Sequence, residues 1–165
     1  MANSYSECAP IYVSEKDLLN LVANFIVKEL KDIRFSAVVI DIFISAKRSH
    51  SFVASYVSED GLSQQNVRFG YEASSELDSI FMDLHEIMSN GVGIPQWNKA
   101  RVTFLKDSND CSMAHYMDPD FDWLEGLDPE SQEYLQLDVN EELEILTWEG
   151  LPKWHPRPWT EHRHI

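Results

Sequence analysis

Aromatic residues set among carboxylates give this chain its most chemically loaded stretch: Tyr116-Met117-Asp118-Pro119-Asp120-Phe121-Asp122-Trp123-Leu124-Glu125, with Asp128 and Glu130 close behind. Tyr and Trp offer large contact area for little lost rotamer freedom, and rigid aromatic anchors inside a charged rim are the composition of a protein-binding surface. Tyr116, Asp118, Asp120, Asp122, Trp123, Glu125, Asp128 and Glu130 are therefore expected to dock a positively charged partner. The competing interpretation sends Phe121, Trp123 and Leu124 inward as core and leaves the aspartates to water. The alternation of Asp118, Asp120 and Asp122 also suggests a calcium loop. Such a loop needs glycine at its sixth position and glutamate at its twelfth, where this chain has Trp123 and Pro129, so no metal site is expected there.

Elsewhere the reactive residue types are scattered. His155, His162 and His164 lie beside Trp154 and Trp159, without the cysteines or spacing of a structural zinc site. His50, His85 and His115 fall in separate segments, and Cys111 and His115, four apart, sit on an expected strand where that spacing does not bring them together. No nucleophile elbow, phosphate-loop glycine pattern or His-Glu-x-x-His occurs. No catalytic centre and no cofactor are expected. A small metal-dependent or hydrolytic enzyme, using the acidic cluster or the terminal histidines, is the alternative, and an adaptor for an unrelated basic protein is a third.

Charge sharpens the choice. Of the formal net charge of −15, all but one unit resides between Asp107 and Glu149, which hold 14 acidic residues and no Lys or Arg. Such a field draws basic proteins, speeds encounter with them and repels nucleic acid and anionic membrane. The partners implied are a basic protein and not nucleic acid or membrane. The 165 residues suit one domain, expected over 1–150, as a monomer or small oligomer. With no long apolar run and no basic, apolar leader at the start, a cytoplasmic address is expected. Cys8 and Cys111 are too far apart in sequence for a metal or redox motif and are expected as thiols.

The elements that must position these residues follow from periodicity. Leu18, Leu19, Leu21, Val22, Phe25, Ile26 and Leu30 recur at helical steps behind the cap residue Ser14. Phe35 to Ala46 has the β-branched density of a central strand, and Ser51 to Ser58 turns at Glu59-Asp60-Gly61 into a strand over Gln65 to Phe69. A second helix is expected from Ser74 or Ser75 to an Asn90-Gly91 cap, then a hairpin of Ala100 to Leu105 with Cys111 to Met117. Pro129 to Leu137, capped by Asp128, and Asn140 to Trp148 are expected short helices, and 151–165 is an extended Pro/Trp/His-rich tail. The fold class is α+β, a mostly antiparallel single sheet of about five strands with helices on one face.

The leucine-rich second helix ending near Asn90-Gly91, Trp97-Asn98-Lys99 entering a strand with Phe104, and the aromatic–acidic stretch from Tyr116 to Trp123 resemble the YezG-type immunity proteins over Leu18 to Glu130. The last hairpin departs from that pattern in having no turn glycine, as does the long region after Glu130. The resemblance implies an α+β antitoxin that binds and blocks the nuclease domain of a polymorphic toxin. A nuclease surface is basic because it grips phosphate, and an acidic, aromatic-studded inhibitor competes for it.

Overall fold

A computed structural model describes residues 14–47, 49–89 and 93–149. The first helix, α1 (Glu15–Glu29), opens on a capping box in which the Ser14 hydroxyl accepts from the Asp17 backbone while the Asp17 carboxylate accepts from that of Ser14. The Ser14 N–H, and next the Ser14 hydroxyl, hold the Asp17 carboxyl below its ordinary value. Leu18, Leu19, Val22, Phe25 and Ile26 form its buried face.

The long helix α2 (Tyr71–Ile87) is capped at Gly70, four or five residues before the expected Ser74 or Ser75. Gly70 occupies the cap with extended backbone and no side-chain bond, while the Ser74 hydroxyl donates to the carbonyl of Phe69. The serines signal a cap chemistry that the backbone uses one turn earlier. Leu77, Ile80, Phe81 and Leu84 are buried, and the expected Asn90-Gly91 cap lies outside the described residues.

Five antiparallel strands form one sheet in the order β3-β2-β1-β4-β5. They are β1 (Phe35–Ile44), β2 (His50–Ser58), β3 (Gln64–Val67), β4 (Lys99–Leu105) and β5 (Asp110–Tyr116). The branched run at Phe35 is the central strand, with Val38, Ile40 and Ile42 in the main core on one face and Phe43 in a smaller core on the other, and a strand covered on both faces carries apolar residues at successive positions. Gly61 takes the left-handed conformation in the β2–β3 turn. In the β4–β5 turn Asn109 does so, with φ 54°, which supplies the turn that a glycine would otherwise make.

Side-chain alternation divides the sheet. Val38, Ile40, Ile42, Ala54, Ala100, Val102 and Phe104 face α1 and α2 and form the main core with them. Trp97, wholly buried, meets His85 edge-to-face at 4.9 Å, and His85 Nε2 donates to the Trp97 carbonyl at 2.9 Å. The end of α2 is thereby tied to the start of β4. Phe43 points to the opposite face, where Phe121, Leu124 and Ile145 from the short C-terminal helices make a second, smaller core. The two long helices thus cover one face and the extra helices lie against the other. No helix among the described residues is long and apolar enough to cross a membrane.

Cys111, opposite Phe104 across the β4–β5 ladder, is pushed by burial from the ordinary thiol value of 9.0 to about 12, with the Asp110 charge adding to the effect. The fold favours the neutral thiol. Its contribution to stability is present below pH 9.0 and is lost as pH rises toward about 12. At pH 8 the native thiolate fraction at Cys111 should be about a thousandfold below that of the unfolded chain, and iodoacetamide labelling followed by peptide mass spectrometry should show a correspondingly protected site.

Candidate functional site

The acidic stretch begins on a helix that hydropathy alone does not announce. Asp118 is the N-cap of α3 (Pro119–Gly126), with Pro119 at its first position, and one oxygen of its carboxylate accepts from the Asp120 N–H at 3.0 Å. The other carboxylate oxygen lies 2.7 Å from Lys99 Nζ, and both side chains are fully buried. Asn98 completes the bracket. Its side-chain N–H donates to the Asp118 carbonyl at 2.6 Å, and its side-chain oxygen accepts from the Asp118 N–H at 2.7 Å. Lys99 Nζ also donates to the Thr147 carbonyl at 3.1 Å and sits 5.7 Å from the Phe121 ring centre. A buried ammonium requires this company, since an unpaired charge in the interior is prohibitively costly.

A second latch lies one pair further along β4. Arg101 stands opposite Asp41 on β1 and holds it through two bonds of 2.7 and 2.9 Å, the bidentate geometry that a guanidinium offers a carboxylate. Its Nη2 also reaches Glu149 at 2.6 Å, and its guanidinium carbon lies 5.6 Å from the Trp148 ring centre. The hydrogen bond to Asp41, then that to Glu149, raise the Arg101 pKa against the opposing effect of burial. Lys99 and Arg101 point from β4 to the face away from α1 and α2, so the C-terminal segment is fastened at both its start and its end.

Between the latches the chain makes two further short helices, α4 (Gln132–Leu135) and α5 (Val139–Leu146), capped by Ser131 and Asp138. The expected helix from Pro129 is shorter because Asp128 is used in a turn, its carboxylate accepting from the Glu130 N–H and its carbonyl from that of Ser131. The Tyr134 hydroxyl donates to Glu142 at 3.1 Å and ties α4 to α5. Ile145 is buried, whereas Val139, Leu143 and Leu146, at helical spacing, are 71%, 54% and 37% exposed, and Leu135 is 71% exposed. An apolar stripe therefore lies open beside exposed Glu133, Asp138 and Glu144.

The expected docking residues divide. Asp118 and Asp120 are buried, at 0% and 1% exposure, and cannot touch a partner; Asp118 instead caps α3 and fastens it to Lys99. Phe121 and Leu124 turn inward with them. Tyr116 is half-buried on β5, Trp123 is half-buried against the small core, and Asp122 is half-buried, accepting from the Ala46 N–H at 2.9 Å. Glu125, Asp128 and Glu130 are exposed, with Glu125 3.4 Å from the Ser49 hydroxyl. None of these three makes an ion pair with a described residue. The open stripe on α4 and α5 escaped the sequence reading, although a three- and four-residue repeat of Val139, Leu143 and Leu146 was there to be read as a face. The histidine cluster of 155, 162 and 164 lies outside the described residues.

No family model and no curated protein matches this chain. The surface must be interpreted from its own chemistry.

Removing the ammonium should strand the Asp118 carboxylate. Lys99→Met is expected to cost about 3–5 kcal/mol in urea unfolding, whereas Lys31→Met in the exposed turn after α1 should stay within about 0.5 kcal/mol. In amide hydrogen exchange, α3 and α5 should lose protection in Lys99→Met before the strands do.

Proposed function

We propose that this protein is an acidic, non-catalytic binding protein of the immunity type, which neutralises a basic nuclease domain by covering its phosphate-gripping surface. One observation carries this: an apolar stripe on α4 and α5, open to solvent, within a segment of 14 acidic residues and no Lys or Arg. Apolar side chains set among carboxylates match a partner whose own apolar patch is rimmed by Lys and Arg. The likeness to YezG-type immunity proteins over Leu18 to Glu130 supports the same partner class. The docking residues are Glu125, Asp128, Glu130 and Trp123 together with Leu135, Val139, Leu143 and Leu146, while Asp118 acts from inside to hold the surface in place.

The two kinds of residue act on different rates. Long-range attraction between exposed carboxylates and the basic partner accelerates encounter and is screened by salt, whereas desolvated aliphatic contact slows release. The test is co-expression and stopped-flow binding with the product of the gene immediately upstream, which this reading expects to carry a basic nuclease domain. Reversing Glu125, Asp128 and Glu130 together to Lys should lower the association rate by about tenfold or more at low ionic strength and flatten its salt dependence. Leu143→Asp should instead raise the dissociation rate. Binding indifferent both to the triple reversal and to Leu143→Asp would remove this surface from the interface. Stoichiometric metal whose removal abolishes a hydrolytic activity would replace the binding role with an enzymatic one.

A further inference from the structure

Among the described residues, the outer edge of β2 is covered over only part of its length. β3 pairs only with Ala54 to Val57, so the four residues from His50 to Val53 of β2 have no strand neighbour on their outer side among the described residues. The direction of their backbone groups is fixed by bonds at the strand ends. The Ser58 N–H donates outward to Ser63, on the β3 side, and the Ser49 carbonyl accepts from Ser45, on the β1 side. Alternation then turns the N–H and C=O of Phe52 and His50 outward, while Ser51 and Val53 bond to β1. Backbone donors and acceptors in such an open row are a template for another strand.

Space for one exists. A cleft of about 640 Å³ runs along this edge between β2 and α2, its walls including His50, Phe52, Arg68, Tyr71, Ser75 and Asp78. His50 Nδ1 lies 2.8 and 2.9 Å from the two Asp78 oxygens, a bridge from strand to helix that sets the width of the cleft at one end. At the other end Tyr71 stands 88% exposed, an aromatic ring with almost no contact of its own. On the sheet's other face Val53 is 56% exposed beside the same edge. An occupant would therefore meet apolar surface on both of its faces, and that defines its chemistry.

We infer that the open edge of β2 takes an extended segment of a partner protein as an added strand, bonded through its main chain to His50 and Phe52. The segment continues the line of β3. Its side chains alternate between Tyr71 on the helix side and Val53 on the other, so β-branched or aromatic residues suit both sets of positions, and proline is excluded wherever an N–H must reach β2. Main-chain pairing supplies affinity and the flanking contacts supply choice. The site is a different surface from the stripe on α4 and α5, being built on the edge of β2 and on α2.

The test pans random linear heptapeptides displayed on phage against the full chain and titrates the enriched peptide by NMR. Shifts at His50 to Val53 and Arg68 to Tyr71 are expected, with exchange of the Phe52 amide slowed by about tenfold or more at saturation. Methylating the peptide nitrogens that face β2 should abolish binding, and methylating those of the opposite parity should spare it. Ser75→Trp, a substitution at an exposed helix position that fills the cleft, should abolish binding while leaving the unfolding midpoint unchanged. Failure to enrich any peptide, shifts confined to the other open edge at Asp110 to Tyr116, or equal binding of both methylated peptides would overturn the inference.

Discussion

A lysine and an aspartate, both without access to water, decide how the second half of this protein is arranged. Lys99 leaves β4 on the face opposite the main core and meets Asp118 at 2.7 Å. Neither charge could remain in that interior alone, so each fixes the position of the other. The pair contributes little net stability by itself, because desolvating two ions offsets most of their attraction. Its effect is positional. Asp118 spends one oxygen on Lys99 and the other on the first turn of α3, while Asn98 clasps its backbone from both sides. Strand β4 and helix α3 are therefore joined at a single residue.

Apolar burial could not do this alone. The core under the C-terminal helices consists of Phe43, Phe121, Leu124 and Ile145, against the many residues that α1 and α2 contribute to the other face. So small a core leaves sliding and rotation inexpensive, and directional bonds have to select one arrangement. Arg101 does at the end of the segment what Lys99 does at its start, holding Glu149 and lying near the Trp148 ring. These are bases from just before the acidic run, placed by β4 where they neutralise its first helix cap and its last carboxylate. Between the latches, Glu125, Asp128, Glu130 and Glu133 are left on the outside.

How much of this was legible depended on the range of the interaction that decided it. The faces of α1 and α2, the branched strand at Phe35 and the hairpin at Gly61 are local patterns and could be read directly, as could the α+β class. Boundaries moved where a cap was satisfied in an unexpected way, as at Gly70 in place of Ser74. The acidic stretch was misread at Asp118 and Asp120 because composition shows charge without showing burial. An aspartate followed by proline is also the signature of a helix start, and that reading would have turned Asp118 inward toward its own N–H groups. The partner in Lys99 was beyond any local pattern: it lies 19 residues away and depends on β4 and β5 being paired.

That distant bond also reaches the outer surface. Helix α5 has eight residues, too few to persist in water on local propensity, and buries only Ile145. What orients it is what touches its ends: the Glu142 bond to Tyr134, and the carbonyl of Thr147 just beyond its last turn, which accepts from Lys99 itself. The ammonium that neutralises Asp118 therefore also sets the rotation of α5, and with it the direction in which Val139, Leu143 and Leu146 point. An exposed aliphatic stripe forfeits burial that a repacked helix could recover, at roughly 25 cal/mol for each Å² left in water. The bonds at either end make that repacking unavailable. The buried charge pair and the open apolar surface are in this sense one construction, with the constraint on the inside determining what is displayed on the outside.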